Sequence, residues 1–198
     1  MRKKEESYTH QPLVEPAMAG DSIAQHKLYD AYAKAMFNTC FRILNNRQDA
    51  EDALQEAFVK AFSSLSHYRK EASFGAWLKR IVVNHAINTL KKRKMKWVDL
   101  DLQAWENVLE EDTENIITEG FSADDAYSTL YDLPDGYRTV FSLYLLEGYD
   151  HKEISEILGI SVSTSISQYN RAKKKLKALL MQKKDDHGTD RKILRESA

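Results

Sequence analysis

Apolar residues in the first half of the chain recur every three or four positions, which is the spacing of one face of an α-helix. Three stretches show this period and predict helices over about 22–45, 49–66 and 74–94. Asp21 or Ser22 is a suitable N-cap for the first helix. We therefore predict a three-helix domain over residues 21–95, preceded by an N-terminal tail at 1–20.

Shorter helical periods in the second half of the chain end near Gly148 and resume directly after it. Asp150 can cap a helix that runs to Leu158. Gly159 can then turn the chain, and Ser161 can cap a last, longer helix. Two helices joined by a short glycine turn predict a helix-turn-helix.

The two periodic regions are separated by an acidic stretch. Residues 97–126 contain ten Asp or Glu and no Lys or Arg, and their apolar residues follow no sustained period. We predict an acidic flexible linker at 96–122, a second helical domain at 123–184 and a frayed polar tail at 185–198.

The composition favours the same all-α organisation of two small helical domains. Seven Gly and three Pro in 198 residues are too few for the turns of a strand-rich fold. Cys40 is the one cysteine, which excludes a disulfide framework, indicates a reducing compartment and predicts a buried apolar thiol. Because no run of about 18 apolar residues occurs, we expect a cytoplasmic protein without direct membrane insertion.

The charge is unevenly distributed, although its sum is only −1. Residues 79–96 contain seven Lys or Arg and no acidic residue, and residues 171–184 contain seven more and none. A local basic block, and not the total, is what attracts a polyanion. Both predicted domains therefore carry a candidate nucleic-acid surface.

The last predicted helix carries the side chains that base and phosphate recognition requires. Small donors, amides and one guanidinium are expected on its outer face, from Thr164, Ser167, Gln168, Asn170 and Arg171. This pattern is typical of a recognition helix. The alternative is an ordinary amphipathic helix whose lysines are merely solvated.

The third predicted helix combines positive charge with amides. Asn84 and Asn88 are four residues apart and hence on one face, near Arg80, Lys91 and Lys92. Aromatic surface for unstacked bases is available just before them, from His67, Tyr68, Phe74 and Trp77. At helical spacing, the last two are more often core residues, so the loop at 67–73 is the better candidate.

The second predicted helix has an acidic and amide face that could meet a basic partner, formed by Asp49, Asp52, Gln55 and Glu56. A solvated face is the commoner outcome for such charges. Nothing indicates catalysis, a cofactor or a metal site, because the chain has no glycine-rich phosphate loop and no His pair at metal-ligand spacing. We predict that the protein is not an enzyme.

Four motifs, in order, carry a family resemblance: DAEDALQEAF at 49–58, FGAWLKRIVVN at 74–84, LPDGYRTVF at 133–141 and the helix-turn-helix. Together with the acidic linker they resemble extracytoplasmic-function (ECF) sigma factors, small members of the sigma-70 family. The resemblance covers most of residues 22–182. It implies a protein that binds core RNA polymerase, directs it to specific promoters and assists DNA melting.

The resemblance also implies roles for individual residues. The acidic face of the second helix becomes a polymerase surface, which in the family meets the clamp helices of the largest catalytic subunit. Flipped bases of the start-proximal element would be captured by the loop and third helix, at His67, Tyr68, Arg80, Asn84, Asn88, Lys91 and Lys92. The upstream element would be read by Thr164, Ser167, Gln168, Asn170 and Arg171, with Lys174 and Lys175 on phosphates.

Two positions depart from the family pattern. Many members carry Asp where this chain has Asn88, and Lys or Arg where it has Ile166. Ile166 could pack inward beside Tyr169 or mark a surface that an inhibitory partner covers. The resemblance further implies restraint by an anti-sigma factor, and a linker whose negative charge suits the basic path toward the polymerase active site.

Two other hypotheses remain open at this point. The first is a promoter-binding regulator with a helix-turn-helix output and an N-terminal helical dimerisation or sensing domain. The second is an interaction module whose basic helices bind RNA or acidic proteins. Binding to RNA polymerase separates the three.

Overall fold

The computed structural model describes residues 10–93 and 122–196. The chain divides into two units, Met1–Met95 and Lys96–Ala198. All regular elements in the described residues are helical. Residues 96–121 of the predicted acidic linker lie outside the described residues. Its last residue, Ser122, caps the first helix of the second unit.

The first unit is a helical bundle with the bounds α1 Gln11–Met18, α2 Ser22–Leu44, α3 Arg47–Ser63 and α4 Phe74–Lys92. A 3₁₀ turn, Leu65–His67, follows α3. Helices α2, α3 and α4 pack against one another, and α1 packs on α2. The prediction of a tail over 1–20 is therefore wrong for residues 11–18, which add a fourth helix to the three that were predicted.

Side-chain caps explain where the helices of this bundle begin. The Asp21 carboxylate accepts hydrogen bonds from the backbone N–H groups of Ile23 at 2.8 Å and Ala24 at 3.2 Å. The Asn46 side chain accepts from the N–H of Asp49 at 3.0 Å. Each cap satisfies backbone donors that have no partner within the helix. Helix α2 therefore starts at the N-cap that the sequence predicted.

The core of the bundle depends on small residues along α3. Ala50, Ala53, Ala57 and Ala61 recur at spacings of three and four and are fully buried. Such a stripe lets α3 approach both α2 and α4 closely. Gly75 has the same effect at the start of α4, because a Cβ there would lie 2.9 Å from the Tyr32 ring. Cys40 is buried as a free thiol, as predicted.

The second unit contains α5 Ala123–Leu130, α6 Asp135–Phe141, α7 His151–Leu158 and α8 Val162–Glu196. A π-helical turn, Ser142–Leu146, follows α6. Its core cluster consists of Leu130, Leu133, Phe141, Ala172, Leu176 and Leu180. The last helix continues to Glu196, so the predicted boundary at 185 does not end it.

Buried and half-buried ion pairs close the corners of this unit. Arg138, which is 1% exposed, donates to the carbonyl of Leu133 at 2.9 Å and pairs with Asp135. Lys183 on α8 pairs with Asp132 at 2.7 Å, beside the turn between α5 and α6. These contacts tie α5, α6 and α8 together around the core.

Candidate nucleic-acid interface

The exposed face of α4 is a strip of amides and cations. Arg80, Asn84 and Asn88 follow one another at intervals of four residues, and Lys91 and Lys92 extend the strip; all five are exposed. The opposite face of the helix is buried in the bundle through Leu78, Val82, Val83, Ala86, Ile87 and Leu90. Packing therefore points donors that suit bases and phosphates toward solvent.

The loop before α4 is organised around an aromatic cluster. His67 is exposed at the end of the 3₁₀ turn. Tyr68 is only 4% exposed, and its hydroxyl donates to the carbonyl of Ala72 at 2.6 Å. Its ring lies 5.2 Å from Trp77 and 6.0 Å from Phe74. The prediction that Tyr68 offers open stacking surface is therefore wrong, because its ring holds the loop against α4. Phe74 is 1% exposed and takes the core alternative.

Helix α1 contacts this loop through an ion pair that the sequence did not reveal. Lys70 has a positive φ of 60°, which is uncommon for a residue with a side chain. Its Nζ lies 2.6 Å from Oε1 of Glu15, and this contact lowers the pKa of the Glu15 carboxyl. The predicted tail thus holds one end of the candidate base-capture loop.

The acidic face of α3 is presented to solvent in part. Asp52, Gln55 and Glu56 are exposed, and Val59, one turn further, is 70% exposed. Asp49 differs, because its carboxylate pairs with Arg93 at the end of α4. Arg93 also donates to the carbonyl of Leu44 at 3.0 Å. Asp49 is therefore engaged within the fold, whereas Asp52, Gln55 and Glu56 are displayed, with Glu56 Oε2 3.7 Å from His85 Nδ1.

The helix-turn-helix has the predicted local geometry. Asp150 and Glu153 form a reciprocal capping box at the start of α7, with hydrogen bonds of 2.8 and 2.9 Å. Gly159 ends the helix at a φ of 73°, in the left-handed region that favours glycine. Ser161 Oγ then accepts from the N–H of Thr164 at 3.0 Å and caps α8. These contacts set the turn between the two helices.

The structure distributes the predicted residues of α8 over different environments. Asn170, Lys174 and Lys175 are exposed, whereas Thr164, Ser167 and Arg171 are half-buried. Gln168 is 6% exposed, and its Oε1 has no hydrogen-bond partner among the described residues. The prediction that Gln168 lies on the outer face is wrong, because it shares the inward side with Ser165 and Ala172.

The start of α8 is more apolar on its surface than predicted. Ser161 Oγ lies 2.8 Å from both Ser163 Oγ and Thr164 Oγ1, so these hydroxyls form part of the cap. Val162 and Ile166 are each 42% exposed. Ile166 therefore does not pack inward beside Tyr169. The sequence alone does not show which side of α8 faces inward, so it could not predict that Ile166 is exposed.

A polar and aromatic cluster joins α7 to α8. His151 Nδ1 lies 2.9 Å from Ser165 Oγ, and its ring stacks on Tyr144 with centroids 4.4 Å apart. Tyr144 lies 4.5 Å from Tyr169, and Lys173 Nζ lies 4.9 Å above the Tyr169 ring. Burial lowers the pKa of His151 and raises that of Tyr169. Nothing in the sequence beyond the residue types indicates this cluster.

In residues 10–93 and 122–196, no group of three or more His, Cys, Asp or Glu could hold a metal ion. No helix within the same ranges combines the length and apolarity needed to cross a membrane.

Two family models match the chain, and they fall on the two units. The sigma-70 region 2 model matches residues 28–95, and the sigma-70, region 4 model matches residues 125–176. The resemblance recognised in the motifs is confirmed by these matches.

Similar proteins align over most of their length. The ECF RNA polymerase sigma factor SigW of Bacillus subtilis is 30% identical over 81% of this chain and 91% of its own. The ECF RNA polymerase sigma-E factor of Haemophilus influenzae is 31% identical over 85% of this chain and 93% of its own. The sigma-E factor of Escherichia coli K12 is 32% identical over 85% and 92%, respectively.

Two solved structures share the fold. CnrH, determined in complex with the cytosolic domain of CnrY, superposes with a TM-score of 0.51 at 24% identity, covering 86% of this chain and 96% of that one. RpoE of Bartonella quintana, determined in complex with the anti-sigma factor NepR, gives 0.51 at 21% identity, with 79% and 96% covered. The predicted all-α fold of two helical domains is confirmed.

Proposed function

The chain belongs to the extracytoplasmic-function sigma factors of the sigma-70 family, and on that premise we propose that its two domains divide promoter recognition between named surfaces. As a sigma factor, the protein directs promoter-specific transcription initiation by RNA polymerase. Sigma factors are not enzymes. We propose that this chain makes and breaks no bond of its own, and that the polymerase supplies all the chemistry.

The first domain binds the start-proximal promoter element through α4 and the loop before it. The observation that carries this assignment is the exposed strip of Arg80, Asn84 and Asn88, which begins beside the loop that displays His67. Flipping a base out of the duplex costs a few kcal/mol, which amide contacts on the captured base offset. Lys91 and Lys92 lie at the end of the strip and bind the backbone phosphates.

Three of the four residues on the acidic face of α3 contact core polymerase. Asp52, Gln55 and Glu56 share one exposed side of the helix and suit a basic partner surface. Asp49 begins the same face, but its pairing with Arg93 assigns it to orienting the start of α3. Tyr68 likewise supports the loop by its buried ring and does not stack on a base.

The second domain binds the upstream element through α8. Arg171, Ser167 and Asn170 supply a guanidinium, a hydroxyl and an amide for base edges in the major groove. Thr164 contributes at the start of the helix, where its hydroxyl is already part of the N-cap. Lys174 and Lys175 are exposed and follow the base-reading turns, a position suited to phosphates.

Partners and location follow from the same premise. One structural neighbour was determined in complex with an anti-sigma factor, which supports an anti-sigma partner for this chain. Such a partner would restrain the protein by covering its polymerase or DNA surfaces. We place the protein in the cytoplasm, where RNA polymerase acts.

The first experiment is capture of bacterial core RNA polymerase by the purified protein, followed by transcription from a genomic library with and without it. We expect binding to core, and new start sites that share paired upstream and start-proximal elements. Binding to DNA without binding to core would instead support the promoter-binding regulator. Binding to RNA or acidic proteins, without core, would support the interaction module.

A further inference from the structure

Two exposed aliphatic side chains occupy the first two turns of the helix that reads the upstream element. Val162 and Ile166 are four residues apart and each 42% exposed. Single exposed aliphatics are common on protein surfaces. Here, however, two of them stand on one side of a recognition helix, at the end that enters the major groove.

Two hydroxyls at the start of the helix take part in its cap, and one amide faces inward. The hydroxyls of Ser163 and Thr164 both lie 2.8 Å from Ser161 Oγ in the cap. The amide of Gln168 is buried on the inward side. The surface that the first two turns offer to a partner is therefore largely apolar on this side.

The same side of α8 changes character along its length. Val162, Ile166, Asn170 and Lys174 form a row at intervals of four residues, and all four are exposed. The row passes from two aliphatic groups to an amide and then to a cation. A protein partner would need apolar, polar and acidic groups in the same order. The DNA major groove has such an order, from methyl groups and polar base edges on its floor to phosphates at its border.

We propose that Val162 and Ile166 determine promoter specificity by contacting the C5-methyl groups of thymines in the upstream element. This inference rests on the proposed function of α8 as the upstream-element reader. The thymine methyl is the apolar group that base edges present in the major groove. Asn170, one turn on, suits the N6 and N7 edge of adenine, and Lys174 suits a phosphate. The row thus fits A·T-containing duplex DNA.

The test removes the methyl groups and nothing else. Holoenzyme containing the full chain is titrated with promoter fragments in which each upstream-element thymine is replaced, one at a time, by deoxyuridine. At one or two positions we expect the affinity to fall about fourfold, which is what burial of one methyl-sized group contributes. Ile166→Ala or Val162→Ala holoenzyme should bind the thymine promoter that much less tightly and show no further loss when deoxyuridine replaces the thymine that the shortened side chain contacts.

Matched controls separate this effect from general damage. Met181→Ala also shortens an exposed apolar side chain of α8, five turns after Val162, and should retain the full response to deoxyuridine. Because Val162, Ile166 and Met181 are all exposed, their replacement should leave the fold intact, which circular dichroism of each variant checks.

Three results would overturn the inference. Deoxyuridine could be without effect at every upstream position. It could weaken wild-type and Ile166→Ala holoenzymes equally, which would assign the methyl effect to DNA shape. Ile166→Ala could leave promoter affinity unchanged while weakening an anti-sigma complex, which would assign the face to a protein. A promoter with a scrambled upstream element tests the proposed function separately. If scrambling does not change the affinity, the proposed role of α8 in reading the upstream element is itself wrong.

Discussion

Replacing His151 with alanine removes the imidazole that partners the hydroxyl of Ser165. Ser165 is fully buried, so the variant leaves a polar group without water or a partner. An unpaired buried group of this kind costs about 1–3 kcal/mol. Loss of the stacked contact with Tyr144 costs about 0.5–1.5 kcal/mol more. We expect His151→Ala to destabilise the α7 and α8 packing by about 2–4 kcal/mol.

The reverse deletion is expected to be milder. Ser165→Ala leaves His151 as the unpaired member, and that ring is half-buried, so water can reach it. The cost is then the net contribution of one hydrogen bond, about 0.5–1.5 kcal/mol. In the double variant, adding His151→Ala to Ser165→Ala should cost less than His151→Ala alone, because no hydroxyl remains to be orphaned.

Amide hydrogen exchange in the full chain measures these differences locally. We expect exchange in α7 and the first turns of α8 to accelerate about 30-fold to several hundred-fold in His151→Ala, since about 1.4 kcal/mol corresponds to a factor of ten. Amides of α4 serve as the internal reference and should not change. Equal acceleration in Ser165→Ala would refute the argument from the buried hydroxyl.

The same residue gives the domain a dependence on pH. Burial lowers the pKa of His151 below its ordinary value of 6.5, against a weaker opposing effect of Asp150. Below pH 6.5 the unfolded chain therefore binds a proton at this position more readily than the folded chain. Stability of the α7 and α8 packing should fall as the pH drops from 6.5 through the lowered pKa. His151→Gln, which cannot titrate, should remove that component; an unchanged pH profile would contradict it.

Three further predictions concern binding surfaces and the loop. Arg171→Ala should weaken upstream-element binding by about 1–3 kcal/mol and relax selectivity at one position, and equal losses on unrelated DNA would argue against a base contact. Asp52→Ala with Gln55→Ala should reduce affinity for core polymerase in a pull-down titration, whereas Asp30→Ala, an exposed carboxylate of α2, should not. Glu15→Gln removes the carboxylate that holds Lys70 and should increase trypsin cleavage after Lys70; cleavage unchanged from wild type would show that the ion pair does not hold the loop.

Helices with long apolar stripes were predictable from the sequence. The predicted helix at 22–45 is Ser22–Leu44, because Asp21 caps it and its apolar face is continuous. Helix α1 was missed since it spans only eight residues and contains Pro12 and Pro16, which weaken any helical prediction. Its stability comes from the burial of Val14 and Ala17 against the bundle, and not from intrinsic helix propensity.

The candidate site was predictable where polarity and exposure coincide. The opposite face of α4 is uniformly apolar and buried, so Arg80, Asn84 and Asn88 lie outward. On α8 the inward side contains polar residues, including Ser165 and Gln168, so its rotation could not be read from polarity. The rotation of α8 about its axis is decided by packing against Phe141 and the other core residues, which the periodicity of the sequence does not show.

Arg93 joins the C-terminal end of α4 to the connection between α2 and α3. Its guanidinium pairs with Asp49 near the start of α3 and donates to the carbonyl of Leu44 at the end of α2. One side chain therefore fixes the ends of three helices relative to one another. Under the proposed function, the α3 residues that contact core polymerase follow directly on the end of the helix that Arg93 holds.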